Sequence, residues 1–395
     1  MILAALGAEI WKVERPGSGD EARHMTPVLD DEPSLGAYFA AINRGKRSVA
    51  LDLSSPEGVA VALRLAAQCD VFIENFRGGK ARAMGIDESA VRAAQPGIIY
   101  ASVAAFGPRG PDYSKPGYDA LLQSRTGIVS VTGEPGTGGV RTGVSVLDMG
   151  TGIWVALGIL AALLNRQQTG QGSRVDGSLF QTGAMWMAYH LVSRQLTGTD
   201  PKPQGMRIGA MAPYGAFSTA DSRLLIGVSN DRLYKKLCEA IGLPELVSDA
   251  RFATNPHRVS NHDELDRELQ AILSTKTTAK WLACFEQAGI PASAIQTSEQ
   301  LLADPQLEAV GQMRPIERLG GVASPSIPLG FSAFEVSDGE PPWLGEHTRE
   351  VLESAGFTPE EIGDLERRRI VQCLATKAKS NASFSSPSAS SSSAK

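Results

Sequence analysis

One stretch limits what this chain can fold into more than any other. Val140 to Leu164 reads Val-Arg-Thr-Gly-Val-Ser-Val-Leu-Asp-Met-Gly-Thr-Gly-Ile-Trp-Val-Ala-Leu-Gly-Ile-Leu-Ala-Ala-Leu-Leu, which sets a single carboxylate, Asp148, ahead of a long apolar run. Ile153 to Leu164 carries no charged residue, so it predicts a helix that must be buried. Val144 to Leu147 is apolar enough to predict a buried strand feeding that helix, and Gly150 and Gly152 allow a tight backbone at the seam. Asp148 has two readings there. Either it N-caps the helix, where a carboxylate suits the positive end of the dipole, or the glycines clear room for a ligand and the carboxylate is a nucleophile or base.

With 395 residues the chain exceeds one compact core, so two domains are expected, one of them interrupted in sequence. A formal net charge of -5 argues against nucleic acid or an anionic membrane as the main partner. Cys69, Cys238, Cys284 and Cys373 lie far apart and form no metal-ligand spacing, which predicts reduced thiols of an intracellular protein and no metal site. The apolar run at Ile153 to Leu164 is shorter than the ~20 residues a bilayer span needs, so no membrane segment is expected. Met1 leads into Ile-Leu-Ala-Ala-Leu-Gly-Ala with no basic region, so neither a signal nor a transit peptide is expected.

Up to about Ala105, apolar strands alternate with helical stretches. Glu9 to Glu14, Ser48 to Leu53, Asp70 to Glu74 and Ile98 to Ala104 predict strands. Leu35 to Asn43, Pro56 to Gln68 and Glu88 to Ala94 predict helices. Such alternation implies a parallel sheet with helices on both faces, and ligands then bind beyond the carboxyl ends of the strands. Arg15, Lys46, Arg47, Arg77, Lys80 and Arg82 are expected to gather on that rim as a cradle for a polyphosphate. Asp119, after Gly117 and Tyr118, reads as a first-turn acid of a helix running to about Thr126. A strand at Ser173 to Asp176, a long helix from Leu179 to Leu196 and a Gly- and Pro-rich linker at Thr197 to Pro213 follow. Phe217 to Val228 predicts a hairpin turning at Ala220-Asp221-Ser222. Helices at Arg232 to Ile241, Glu264 to Leu273 and Ala279 to Gly289 then complete an α+β module. Two terminal helices are expected at Arg349 to Ala355 and Pro359 to Arg369, and the Ser-rich tail beyond about Ala375 reads as disordered. His24, His190, His257, His262 and His347 show no base–nucleophile spacing and read as structural or surface residues.

Six motifs occur together and in order. They are Leu6-Gly7-Ala8-Glu9-Ile10-Trp11-Lys12-Val13-Glu14-Arg15-Pro16-Gly17-Ser18-Gly19-Asp20, Asn43-Arg44-Gly45-Lys46-Arg47-Ser48, Glu74-Asn75-Phe76-Arg77, Gly117-Tyr118-Asp119, Leu147-Asp148 and Leu344-Gly345-Glu346-His347-Thr348. Together they resemble the class III coenzyme A transferases, the formyl-CoA and carnitine-CoA transferase family. The resemblance covers Leu3 to about Gln372 and is nearest to the succinyl-CoA:glutarate type.

That resemblance implies an α/β fold. A Rossmann-like large domain is built from both chain ends (1–200 and 311–372), with a smaller α+β domain at 201–310, and an interlocked homodimer is expected; the Ser-rich tail at 373–395 has no counterpart in the family. Asp148 falls at the family's catalytic aspartate. Arg15, Leu51, Asp52, Leu53, Ser54, Asn75, Phe76, Arg77, Pro116, Gly117, Tyr118 and Asp119 fall at positions that line the coenzyme A site. The implied chemistry moves CoA from an acyl-CoA, succinyl-CoA in the first instance, to a free dicarboxylate such as glutarate. It runs through an aspartyl anhydride and an aspartyl-CoA thioester, with no bound cofactor and no metal. Two alternatives share the resemblance. An α-methylacyl-CoA racemase needs a second acid/base group, and Tyr118, whose phenol is a poor base at neutral pH, stands where that relative has histidine. A CoA-binding scaffold without turnover is the other, because Met1 falls inside the helix that follows the family's first strand. Gly205 to Tyr214, with Ile208 where relatives often have histidine, argues against formyl-CoA and oxalate. Cytoplasm is the default compartment and the mitochondrial matrix the alternative.

Overall fold

A computed structural model describes residues 1–28 and 35–374; the expected disorder of the tail beyond 375 lies outside the described residues. Eleven strands occur among them: β1 (Ile10–Glu14), β2 (Lys46–Leu51), β3 (Val71–Glu74), β4 (Ile99–Ala104), β5 (Arg174–Ser178), β6 (Tyr214–Ser218), β7 (Arg223–Gly227), β8 (Ala292–Ala294), β9 (Met313–Ile316), β10 (Val322–Pro325) and β11 (Val371–Gln372). The fold is mixed α/β with several sheets. The chain divides into two compact units, one from Met1–Gly117, Asp148–Thr182 and the described residues from Pro305 on, the other from Tyr118–Leu147 and Gly183–Asp304. The expected segment 1–200 therefore gives two pieces to the second unit, and the return to the first begins at Pro305 rather than at 311. One cause lies at Gly183, where a Cβ would stand 2.5 Å from Thr126 Oγ1. The missing side chain lets the helix Leu179–Trp186 approach the segment after Tyr118 at Gly183.

In the first unit, β1 and β2 are parallel, and β11 returns antiparallel on the other side of β2. A second sheet of parallel strands runs β3-β4-β5. Among the described residues β1 pairs only with β2, and β3 only with β4. The helix Pro56–Ala66 starts where Ser55 Oγ accepts from the Gly58 N–H at 3.0 Å and Pro56 occupies the first turn. Its buried residues Val61, Ala62 and Leu65 pack with Val49 and Leu51 of β2 and with Val351, Leu352 and Ile362 of the helices Thr348–Ser354 and Pro359–Arg367. The carboxyl-terminal residues thus complete the core of the amino-terminal sheet.

Behind that sheet sits a buried ion pair. Arg23 Nε and Nη2 each donate to a different oxygen of Glu14 at 2.7 Å, with both side chains fully buried. Arg23 also donates to the Pro342 carbonyl and covers the Phe39 ring at 3.7 Å, while Ser48 Oγ donates to Glu14 Oε1 at 2.7 Å.

The apolar stretch forms one helix, Val146–Thr169, of 24 residues. Two expectations change here. Val144 to Leu147 is not a strand: the helix already begins at Val146, because the Leu147 N–H is taken by the Asp119 carboxylate at 2.7 Å. Nor is the helix fully buried. Val155 and Ile159 pack against Ala101 and Val175, and Gly177 of β5 lets the helix approach, since a Cβ there would lie 2.2 Å from Val155 Cγ2. A three-stranded sheet covers one face only, so Ile153, Trp154, Leu157, Leu160 and Leu164 stay exposed. By length and composition alone the helix could cross a membrane. Its packed face belongs to the core of the unit, and one such helix is not evidence of a membrane. The predicted Leu179 to Leu196 helix is two helices, Leu179–Trp186 and Ala188–Thr197.

The second unit is built on the antiparallel sheet β6-β7-β8. Its core joins Phe217, Leu224 and Ile226 to Leu237, Leu269, Trp281 and Phe285 of the helices Asp231–Ile241, His262–Leu273 and Thr278–Ala288. The hairpin and these helices lie where the alternation and the amphipathic spacing predict them.

Removing one member of the Glu14–Arg23 pair strands a buried charge. Arg23→Ala is expected to lower the unfolding free energy by about 3–5 kcal/mol, read by denaturant titration with circular dichroism. A loss under about 1 kcal/mol, the scale of an exposed pair, would show that the pair is not structural.

Candidate active site

The parallel strands of the first unit gather several nominated residues at their carboxyl ends. Glu14 pairs with Ala50, and Glu74 with Ser102, so Arg15 and Leu51 to Ser54 leave one sheet, and Asn75 to Arg77 the other, at corresponding ends. Arg15 is exposed, and the turn after it is fixed by the Gly17 N–H donating to Gln372 Oε1 at 2.6 Å. Leu51 is a core side chain, Asp52 N–H donates to the Ile370 carbonyl, Leu53 packs in part against the same core, and Ser54 is exposed. The Ser54 hydroxyl and N–H donate to Asp52 Oδ1 at 2.6 and 2.9 Å and hold that carboxyl below the usual range. Gly58 fixes where this loop meets the next helix, because a Cβ there would lie 1.8 Å from the Asp52 carbonyl oxygen. Glu74 is buried and accepts from the Phe76 N–H at 2.7 Å, which bends the chain so that Asn75 and Arg77 face outward. Pro116 is exposed and Gly117 half-buried.

The predicted basic rim is only half assembled. Lys46 begins β2 opposite Ile10, at the amino end of parallel strands, far along the strand from Arg15. Burial, with the Lys12 cation nearby, pushes its amine down to about 8, and it donates to Asn43 Oδ1 at 2.7 Å. Arg47 pairs with Glu9 and Glu350, and Arg82 with Asp87. Among the described residues no carboxylate pairs with Arg15, Arg77 or Lys80.

Asp148 is the third residue of the Val146–Thr169 helix and is exposed, so it lies inside the first turn and is not the N-cap. Three residues on, the buried Thr151 hydroxyl meets Thr182 Oγ1 at 2.8 Å, and Thr182 donates to the Ser178 carbonyl at 3.0 Å. Ser178 ends β5. This chain of bonds puts the start of the helix, and its carboxylate, at the carboxyl end of the parallel sheet, where the helix dipole favours negative charge.

In the second unit Tyr118 is 73% exposed, whereas Asp119 is 7% exposed and accepts from the Leu147 N–H and from Gln123 Nε2. A cavity of about 340 Å3, lined by Glu134, Gln204, Arg207, Arg223, Asp263 and Asp266 among others, also lies in this unit and includes none of the nominated residues. Among the described residues no group of three or more His, Cys, Asp or Glu side chains could hold a metal ion.

The profile of CoA-transferase family III matches residues 1–348. The chain belongs to this family. It is accordingly an enzyme, a class III CoA-transferase. It is 36% identical over 89% of its length to the mouse succinyl-CoA:glutarate CoA-transferase, covering 81% of that protein. It is 35% identical to the succinate–glutarate CoA-transferase of Agrobacterium fabrum, over 89% of this chain and 90% of the relative. The acetyl-CoA:oxalate CoA-transferase of Acetobacter aceti is 35% identical over 85% of each chain. A crystal structure of a CAIB/BAIF family protein from Brucella suis superposes with a TM-score of 0.81 at 35% identity, covering 89% of this chain and 93% of that one.

Several motifs of this class III CoA-transferase do structural work that the sequence left without a role. Gly345 N–H donates to Ser48 Oγ, Ser48 N–H to His347 Nδ1 and Ala50 N–H to Thr348 Oγ1, so the Leu344 to Thr348 motif stitches the return segment to β2. Burial lowers the His347 pKa, which favours the neutral ring that can accept. Arg44 is buried and donates to the Pro325 carbonyl at 2.7 Å. Gln123, fully buried in the helix Asp119–Arg125, was not singled out from the sequence; its spacing of four from Asp119 on one helix face was the available signal.

Ser54→Ala removes one of the two donors that stabilise ionised Asp52, so the Asp52 pKa is expected to rise toward its ordinary value. Carboxyl-carbon NMR titration reads this directly; an unchanged midpoint would mean that the hydroxyl bond is absent in solution.

Proposed function

We propose that this class III CoA-transferase moves CoA from a dicarboxylic acyl-CoA, succinyl-CoA in the first instance, to a free dicarboxylate of the glutarate type. The observation that carries the reading is Asp148, an exposed carboxylate in the first turn of a helix anchored at the carboxyl end of a parallel sheet. The names of the mouse and Agrobacterium relatives supply the substrate class. The carboxylate attacks the thioester carbonyl, forms a mixed anhydride and expels CoA thiolate. The thiolate attacks the aspartyl carbonyl, releases the first acid and leaves an aspartyl-CoA thioester. The acceptor carboxylate opens that thioester to a second anhydride, and returning thiolate attacks the acceptor's acyl carbon, frees Asp148 and yields the new acyl-CoA. Each stage exchanges one activated acyl bond for another, so covalent catalysis divides the transfer into smaller barriers, and N–H groups of the first helical turn are suited to the developing oxyanions.

Arg15 and Arg77, cations at the strand ends with no acidic partner among the described residues, are assigned here to the phosphates of CoA, with Asp52, Leu53, Ser54, Asn75, Phe76, Pro116 and Gly117 shaping the walls. Leu51 contributes through the core beneath them. Tyr118 is exposed and free to meet substrate. We assign the Rossmann-like large domain to the first unit and the smaller α+β domain to the second. The exposed row Ile153, Trp154, Leu157, Leu160 and Leu164 supports a homodimer in which a second copy covers that helix face.

The test is CoA exchange: purified protein with succinyl-CoA and a panel of glutarate, itaconate, malate, citramalate and oxalate, products read by mass spectrometry, beside Asp148→Asn. A new acyl-CoA from the wild type and a rate at least about 1,000-fold lower for the variant, the scale of losing a nucleophile, are expected. Equal rates would remove Asp148 from the chemistry, and epimerisation of 2-methylacyl-CoA, supplied in a parallel sample, without exchange would replace transfer by racemisation. Native mass spectrometry of the same sample is expected to show two chains.

A further inference from the structure

The segment that leads into Asp148 is held at both ends by one short helix of the second unit. Thr142 N–H donates to Gln123 Oε1 at 2.9 Å, Gln123 Nε2 donates to Asp119 Oδ1, and Leu147 N–H donates to Asp119 Oδ2 at 2.7 Å. Gln123 is fully buried and Asp119 nearly so. They stand four residues apart on the helix Asp119–Arg125, which brings the two side chains onto one face. The three bonds form a continuous relay in which each end clamps a main-chain N–H and the middle bond locks the amide orientation of Gln123. Between the clamped amides lie only Gly143, Val144, Ser145 and Val146, with Val144 exposed and no strand to fix them. Leu147 is the second residue of the helix, and its N–H has no partner within the helix. The residue after it is Asp148.

We propose that Asp119 and Gln123 are positioning residues that fix the strap from Thr142 to Leu147, and with it the first turn carrying Asp148, rather than ligands of CoA. This rests on Asp148 being the nucleophile of the proposed transfer. A carboxylate suits the task because it accepts from two donors at once and lies at the positive end of the helix it caps. A nucleophile one residue from the clamp inherits the clamp's precision, and a displacement of about 1 Å is enough to cost a large factor in rate.

The relay can be broken and rebuilt. In Asp119→Asn the new amide nitrogen faces Gln123 Nε2, donor against donor. In Gln123→Glu a carboxylate faces a carboxylate. In the double variant, Asp119→Asn with Gln123→Glu, the amide introduced at position 119 donates to the carboxylate introduced at position 123. The amide carbonyl still accepts from Leu147 N–H, and the second oxygen of the new carboxylate still accepts from Thr142 N–H. All three bonds return with one polarity reversed and the same net charge. Each single variant is expected to lower kcat by roughly 10- to 100-fold while the dissociation constant for CoA, from isothermal titration, stays within about twofold. The double variant is expected to recover kcat to within about threefold of the wild type. Hydrogen exchange of the unliganded proteins follows the same pattern: amides 142–148 lose protection in each single variant and regain it in the double. Protection unchanged in the single variants, no recovery in the double, or CoA affinity falling in step with kcat overturns the clamp, the last pointing to Asp119 as a CoA contact. If the wild type transfers no CoA but the exchange pattern appears as stated, the transferase reading of this chain fails and the clamp stands.

Discussion

The buried pair of Glu14 and Arg23 is the interaction on which the first unit depends. Glu14 is the last residue of β1, at the point where a parallel strand gives way to the loop that carries Arg15. There it accepts from Arg23, from Ser48 on the neighbouring strand and from the Asp20 N–H. Ser48 in turn accepts from Gly345 N–H, and Arg23 donates to the Pro342 carbonyl. Residues more than 290 positions apart are thereby tied to one carboxylate. An ion pair taken out of water gains little net free energy; each oxygen of Glu14 accepts from two donors, so the carboxylate ties four groups to one point. The loop from Arg15 to Asp20 consequently has a fixed base, and Arg15 projects from it.

The same logic separates the two kinds of basic residue in this chain. Lys46 and Arg44 sit at the amino end of β2, Lys46 donating to Asn43 and Arg44 donating to the Pro325 carbonyl and paired with Asp338, and burial drives Lys46 toward its neutral form. Arg15 and Arg77 sit at the carboxyl ends, exposed and without acidic partners among the described residues. An exposed guanidinium is cheap to leave in water, and it keeps its full bidentate capacity for an incoming phosphate. A chain with a net charge of -5 can present a cationic patch because many of its other arginines are matched to nearby acids.

How much of this could be read beforehand follows from which forces are local. The strands of the first unit, the hairpin at Ala220-Asp221-Ser222 and the helix starts at Ser55 and Thr358 are set by alternation, turn chemistry and caps a few residues apart, and the sequence shows them within one or two residues. Asp148 stands at the start of the apolar helix as the sequence suggests, but its setting was not legible. The strand expected before it is absent because its amide is claimed by Asp119, 28 positions away, and no local pattern encodes that bond. Lys46 and Arg47 were expected on the rim with Arg15 but lie at the amino end of β2, since sequence shows charge but not which end of a strand carries it. His347 had no spacing to any partner because its partner, Ser48, lies 299 residues back.

The apolar helix gave the least faithful signal, and the reason is general. Hydrophobicity states that a surface leaves water, not what removes it. Val155 and Ile159 satisfy that demand against the sheet, while Trp154, Leu157 and Leu164, roughly 100 to 180 degrees away around the helix, do not. Burying an exposed side chain of this size is worth roughly 1.5–3 kcal/mol, so a row of five exerts a strong pull toward a covering surface. A helix pinned close to its first turn is not free to rotate its apolar row inward. Thr151, bonded to Thr182 and through it to the end of β5, fixes the rotation that keeps Asp148 at the mouth of the sheet, and the exposed row is the consequence of that choice.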